Sequence, residues 1–147
     1  MKRIIRREVI YPHPVEKVWH ALTDKEALSR WFMETDFEPV VGRRFTFKTK
    51  PAPGFDGAVN GEVLSVDAPR HLAYTWRGGP LQETVVRFWL EPEGNGALVR
   101  LEHSGFSGVK EALPSLILQF GWRKLLKKDL PAYLAAPQEV AGKGERR

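Results

Sequence analysis

Pro14-Val15-Glu16-Lys17-Val18-Trp19-His20-Ala21-Leu22-Thr23, continued by Asp24 to Phe32, decides how the rest of the chain is read. Val15, Val18, Trp19 and Leu22 fall at i, i+3, i+4 and i+7, which gives a helix one apolar face. Pro14 suits the first helical position, because the amide it lacks would have no partner there. Thr23 and Glu26 have capping-box spacing, so a second helix is expected to start near Asp24. Ala27, Leu28, Trp31 and Phe32 supply its apolar face. The stretch predicts two short helices in succession, with Trp19 in the core. Trp31 and Phe32 stand at a helix end, where a large side chain either packs or lines a pocket mouth.

Outward from this pair, the chain reads as strands. Residues 3–11 alternate charge with Ile4, Ile5, Val9 and Tyr11, and Pro12 ends that run. After the helices, Glu34, Asp36 and Glu38 form an acidic connector. The run from Arg43 to Lys50 puts Phe45 and Phe47 on one face. Residues 51–57 are turn-forming, since proline fixes φ and glycine permits positive φ. Strands are then expected over residues 58–67, over His71 to Trp76 with Leu72, Tyr74 and Trp76 on one face, and over residues 82–91 with Val86, Phe88 and Leu90 on one face. Pro92-Glu93-Gly94-Asn95-Gly96 is a hairpin loop. Residues 97–103 set Ala97, Val99, Leu101 and His103 against Leu98, Arg100 and Glu102. Successive hairpins at this spacing predict an antiparallel sheet.

The end of the chain is helical in pattern. Leu113, Leu116, Ile117 and Phe120 form one stripe, and Trp122, Leu125, Leu126, Leu130 and Tyr133 another. At about 100° per residue the two stripes do not coincide, which predicts a bend near Gly121 or a first half serving a pocket mouth or a partner. Pro131 removes a helical hydrogen bond and predicts a kink or early ending between Lys127 and Pro131. Residues 137–147 are charged and poor in apolar groups, the composition of a flexible tail. The expected organisation is one domain over residues 1–136, then that tail.

Composition narrows the classes. The 147 residues are 42% hydrophobic and 28% charged, with a net charge of +5 and no cysteine. That length supports a single core. The absence of cysteine excludes disulfides, thiolate catalysis and cysteine-ligated metals. No stretch approaches the roughly 20 apolar residues of a membrane helix, and Met1 to Arg7 holds no signal-peptide run. A soluble, cytoplasmic protein is expected, with no integral membrane association.

Several segments carry a family likeness: residues 12–23, Leu28-Ser29-Arg30-Trp31-Phe32, Gly61-Glu62-Val63-Leu64, Pro69 to Trp76, Val99 to Phe106, and Gly121-Trp122 with the leucines after it. In this order the chain resembles the START-like (SRPBCC) superfamily, in the branch named for activators of the heat-shock-protein-90 ATPase. The likeness runs over residues 4–135. It departs at Lys25, where bacterial relatives often carry proline, and at Pro114 and Pro131. The resemblance implies an α+β helix-grip fold: a curved antiparallel sheet around a long C-terminal helix, with two short helices after the first strand. It also implies an internal hydrophobic cavity, ligand binding and, through the family name, a link to stress response. The eukaryotic activators carry an additional N-terminal domain, so chaperone activation is not expected here.

No catalytic constellation is apparent. His13, His20, His71 and His103 are scattered without metal-ligand spacing, and no phosphate-binding glycine motif or nucleophile elbow occurs. No catalytic residue, metal or cofactor is therefore assigned. His103 shares a face with Val99 and Leu101, where a polar ring must find a partner or face a cavity. The candidate ligand-binding residues are Trp31, Phe32, Tyr74, Trp76, Phe88, His103 and Phe120. Arg123, Lys124, Lys127 and Lys128 read as a solvated helix face, with no nucleic-acid motif beside them. The leading expectation is a non-enzymatic domain for a small hydrophobic or amphipathic molecule. A cyclase or dehydratase using His103 or Glu62 is the first alternative. An interaction or co-chaperone-like module, as a possible homodimer through the Leu113–Phe120 stripe, is the second.

Overall fold

The computed structural model describes residues 2–51, 56–79, 82–107 and 121–136. Seven strands form one antiparallel sheet: β1 (Lys2–Tyr11), β2 (Glu34–Thr35), β3 (Arg44–Lys48), β4 (Ala58–Asp67), β5 (His71–Gly78), β6 (Thr84–Glu93) and β7 (Gly96–Ser107). Their spatial order is β1-β7-β6-β5-β4-β3-β2. Helices α1 (Val15–Thr23) and α2 (Lys25–Trp31) follow β1. A last helix, α3, runs over residues 121–135. This is the α+β helix-grip architecture that the sequence implies.

Alternation along the strands builds the core. Leu72, Tyr74 and Trp76 on β5, Val86, Phe88 and Leu90 on β6, and Ala97, Val99, Leu101 and His103 on β7 are all buried on the inner face. Phe45 and Phe47 extend that face onto β3, with Phe37 from the connector before it. The acidic connector is not wholly irregular, because Glu34 and Thr35 pair with Lys48 and Phe47 as the short edge strand β2. The β6–β7 hairpin is tighter than its sequence suggests. Pro92 still sits opposite Ala97, leaving only Gly94 and Asn95 to turn.

The helix pair forms with its caps shifted by one residue. Pro14 is the N-cap rather than the first helical residue, and its carbonyl accepts from the Lys17 and Val18 amides. At the second start, the Asp24 carboxylate accepts from the Ala27 amide at 3.0 Å and caps α2. The Thr23 hydroxyl instead donates back to the Trp19 carbonyl at 2.8 Å. A carboxylate at an N-cap satisfies an orphan amide as a hydroxyl does, and it also suits the helix dipole. Trp19 is half-buried against the core.

Pro131 does not end α3. A wider π-type turn spans Leu125–Asp129, and Leu130–Ala135 continues as α-helix with Pro131 in its first turn. Proline is tolerated there because the wider turn carries the Leu130 amide to the Leu125 carbonyl and the Leu126 carbonyl accepts from the Tyr11 hydroxyl instead. The buried series is Trp122, Leu126, Leu130 and Leu134, with Leu125 and Tyr133 at its margins. A four-residue step drifts around a helix of 3.6 residues per turn. The wider turn takes up that drift and keeps Leu130 and Leu134 facing inward. The Leu113–Phe120 stripe, the expected bend before Gly121 and the tail over 137–147 lie outside the described residues.

Candidate functional site

The inner face of the sheet meets α3 at Trp122, which is 2% exposed. Its indole lies 5.5 Å from Trp76, 6.0 Å from Phe88 and 6.1 Å from His103, measured between ring centres. Phe32, the C-cap of α2, stacks on it at 5.8 Å with 17° between the planes. Four of the predicted site residues (Phe32, Trp76, Phe88 and His103) therefore converge on one indole. Phe32 is the half-buried member, at the margin of the cluster.

Tyr74 lies one ring further along the sheet, against Phe37, Phe45, Phe47 and Phe88. Burial pushes its hydroxyl well above the ordinary range, so it stays protonated. Trp31 turns toward α1, where its indole N–H donates to the Ala21 carbonyl at 2.8 Å. That bond locks the two short helices together and fixes the backbone that carries Phe32. Phe120 lies outside the described residues.

His103 is fully buried, and both of its ring nitrogens are engaged. The Trp122 indole N–H donates to Nδ1 at 3.0 Å. An indole nitrogen can only donate, so Nδ1 carries no proton and the neutral ring bears its hydrogen on Nε2. Nε2 therefore donates to the Thr84 hydroxyl at 2.7 Å, and that hydroxyl donates on to the Trp76 carbonyl at 2.8 Å. One directed chain of hydrogen bonds ties α3 through β7 and β6 to β5. Burial lowers the imidazole to about 3, so it is neutral at physiological pH. A ring with both nitrogens satisfied and no solvent contact has no lone pair left for proton transfer.

Two members of this arrangement were not singled out in the sequence. Trp122 appears there in a helical stripe and in a family-like segment but not among the candidate site residues, although it heads the inward four-residue series. Thr84 gives no signal in a pattern; it is fully buried at the start of β6, 19 residues from His103. Gly105, at φ 105°, brings β7 so close to it that a Cβ would meet the Thr84 Cα at 3.2 Å.

The other residues considered for chemistry are dispersed. Glu62 shares a cross-strand position with Arg44, beside which its carboxylate lies at 3.9 Å, away from His103. His71 stacks on Trp89 at 5.3 Å. His20 lies 3.8 Å from Asp24 and His13 lies 3.4 Å from Lys17. Among the described residues no group of three or more His, Asp or Glu side chains is placed to hold a metal. Four grooves lined by described residues lie away from the aromatic cluster: about 570 Å³ around Trp89, Arg70 and Arg100, about 340 Å³ beside Arg6, Glu8 and Glu102, about 240 Å³ at the β2 edge, and about 360 Å³ on the outside of α3.

The family model described as "Activator of Hsp90 ATPase homolog 1-like protein" matches residues 12–135, which include α1, α2, the sheet from β2 to β7 and α3. The chain belongs to this family. It is thereby a member of the START-like superfamily. Protein MLL2253 from Mesorhizobium loti is 32% identical, with 90% of this chain and 96% of that one aligned at a TM-score of 0.81. Protein BH1534 from Bacillus halodurans is 28% identical, over 90% of this chain and 96% of that one, at 0.76. The Aha1 dimer from Colwellia psychrerythraea shares the fold at 20% identity, over 92% of this chain and 99% of that one, at 0.75. None of the curated proteins matches by sequence. Among the described residues no helix of this member is long and apolar enough to cross a membrane.

Proposed function

We propose that this family member is a non-catalytic binding domain for a small hydrophobic or amphipathic molecule, held between α3 and the inner face of the sheet. The observation that carries the reading is the convergence of Phe32, Trp76, Phe88 and His103 on Trp122. Aromatic surface of this density suits an apolar guest, with a few polar groups to orient it. The ligand enters by parting the Phe32–Trp122 stack, the member of the cluster nearest solvent. The His103 chain supports a binding role over proton transfer, because its donors and acceptors are already matched to one another. Trp31, Tyr74 and Phe120 complete the proposed lining, and residues 1–136 form the binding domain.

The test is a thermal-shift screen of the intact protein against fatty acids, polycyclic aromatics and sterols. A ligand specific to the folded state raises the midpoint in a concentration-dependent way. The expected result is a shift with one of these classes that Phe32→Ala alters and that a distant outer-face change, Arg44→Gln, leaves alone. Turnover of such a compound, abolished by a single inner-face substitution, would instead establish the cyclase or dehydratase reading. The dimeric Colwellia protein supports testing for a homodimer by light scattering; a mass independent of concentration and equal to one chain would exclude it.

A further inference from the structure

The last helix is strongly cationic. Residues 121–136 hold Arg123, Lys124, Lys127 and Lys128 against a single carboxylate, Asp129, and so carry three of the five net charges. All four cations are exposed, while Trp122, Leu126, Leu130 and Leu134 point inward. Their i, i+1, i+4, i+5 spacing puts them on one side of α3, around a shallow depression of about 360 Å³. Lys124 reaches Asp129 at 3.1 Å. Among the described residues Arg123, Lys127 and Lys128 have no ion pair. Elsewhere several exposed cations are matched, as Arg6 with Glu102, Arg100 with Glu8 and Glu91, and Arg70 with Asp67, while Arg30, Lys48, Lys50 and Arg77 are exposed but spread over α2 and the sheet. What sets α3 apart is that three such cations, Arg123, Lys127 and Lys128, share one side of one helix.

We propose that the outer face of α3 adsorbs the protein to an anionic lipid surface. This goes beyond the ligand reading and rests on the opposite side of the helix. The face presents four cations around a shallow depression, which is sufficient for a planar array of anionic headgroups. Clustered cations near such a surface each contribute a roughly fivefold gain in partitioning. A nucleic acid is less suited, since no exposed ring accompanies the four cations for base stacking. The half-exposed Trp89 is on the sheet, in the groove with Arg70 and Arg100. An acidic protein partner would lack an apolar anchor on this face, where the flanking Leu125 is half-buried and Ala132 is small. Because the attraction is electrostatic, it is reversed by salt.

The test is co-sedimentation of the full chain with phosphatidylcholine vesicles, with and without phosphatidylserine, at low and at high ionic strength. The variants are Arg123→Gln/Lys124→Gln/Lys127→Gln/Lys128→Gln and a control with the same net charge, Arg43→Gln/Arg44→Gln/Lys48→Gln/Lys50→Gln. Circular dichroism establishes that both are folded. The expected result is binding that requires phosphatidylserine, is released by salt, is lost in the α3 variant and survives in the control. Single substitutions on α3 should each weaken it about fivefold. No wild-type binding at low salt, or equal loss in both variants, would overturn the proposal. So would an oligonucleotide held more tightly than the vesicles through the same four cations.

Discussion

The Tyr11 hydroxyl, at the end of β1, donates a 2.6 Å hydrogen bond to the backbone carbonyl of Leu126 in the middle of α3. That carbonyl is orphaned twice. Its ordinary helical donor, the Leu130 amide, bonds to Leu125 instead, and the next residue is Pro131, which has no amide hydrogen. The first strand thus completes the last helix at the turn where proline would otherwise leave a buried acceptor unsatisfied. Burial holds the Tyr11 hydroxyl protonated, far above its ordinary range, so the donor is present at all working pH values.

Tyr11→Phe should therefore destabilise the protein by about 1–3 kcal/mol, the cost of stranding a buried carbonyl. Urea unfolding followed by far-ultraviolet circular dichroism measures it. Pro131→Ala restores an amide within reach of the same turn, so the double variant should lose less than the two singles together. Strict additivity would show that Pro131 and Tyr11 do not share the Leu126 carbonyl.

His103 predicts an acid-dependent loss of stability. Its folded value is lowered to about 3 from an ordinary 6.5, so the unfolded chain binds the proton more tightly than the native one. The contribution is fully present above about pH 6.5 and is lost as the pH falls from there toward 3. Its slope approaches about 1.4 kcal/mol per pH unit. His103→Gln should start less stable at pH 7 yet show a shallower decline between pH 6 and pH 4, in urea melts taken across that range. Parallel declines in the two proteins would remove His103 as the cause.

Trp122→Ala removes the indole on which the cluster converges and deletes the donor to His103. A cost of about 3–5 kcal/mol is expected. The void should accept indole added to the buffer, with the thermal midpoint partly restored in proportion to its concentration. A variant of lowered stability that is indifferent to indole would mean that the interior collapses and presents no binding volume.

Gly61 lies under the Phe45 ring and against the Thr75 carbonyl, so that an added Cβ would meet both. Gly61→Ala should cost about 1–3 kcal/mol through displaced backbone. Chemical denaturation measures it. A neutral effect would show that β4 has room to move away from β5.

How far the sequence reaches is clear from single residues. Period-two alternation placed Tyr74, Trp76, Phe88 and His103 on one inner face, because burial on one side of a sheet dictates that pattern. The helix pair was legible for the same reason at period 3.6. The His103 partners were not. Thr84 and Trp122 each stand 19 residues from it, and only strand register and the position of α3 bring them together. The π-type turn was likewise hidden. Pro131 announces a lost hydrogen bond, but the compensating donor is Tyr11, 115 residues before Leu126. The short strand β2 escaped because two residues carry no period.

Native mass spectrometry of the purified chain, after incubation with an extract of apolar small molecules, tests the binding role most directly. The account predicts one small hydrophobic or amphipathic molecule per chain, retained in the folded protein, released on denaturation and depleted in Trp122→Ala and Phe32→Ala. Bare chain mass in every spectrum, from a protein whose circular dichroism is that of the intact fold, would contradict it.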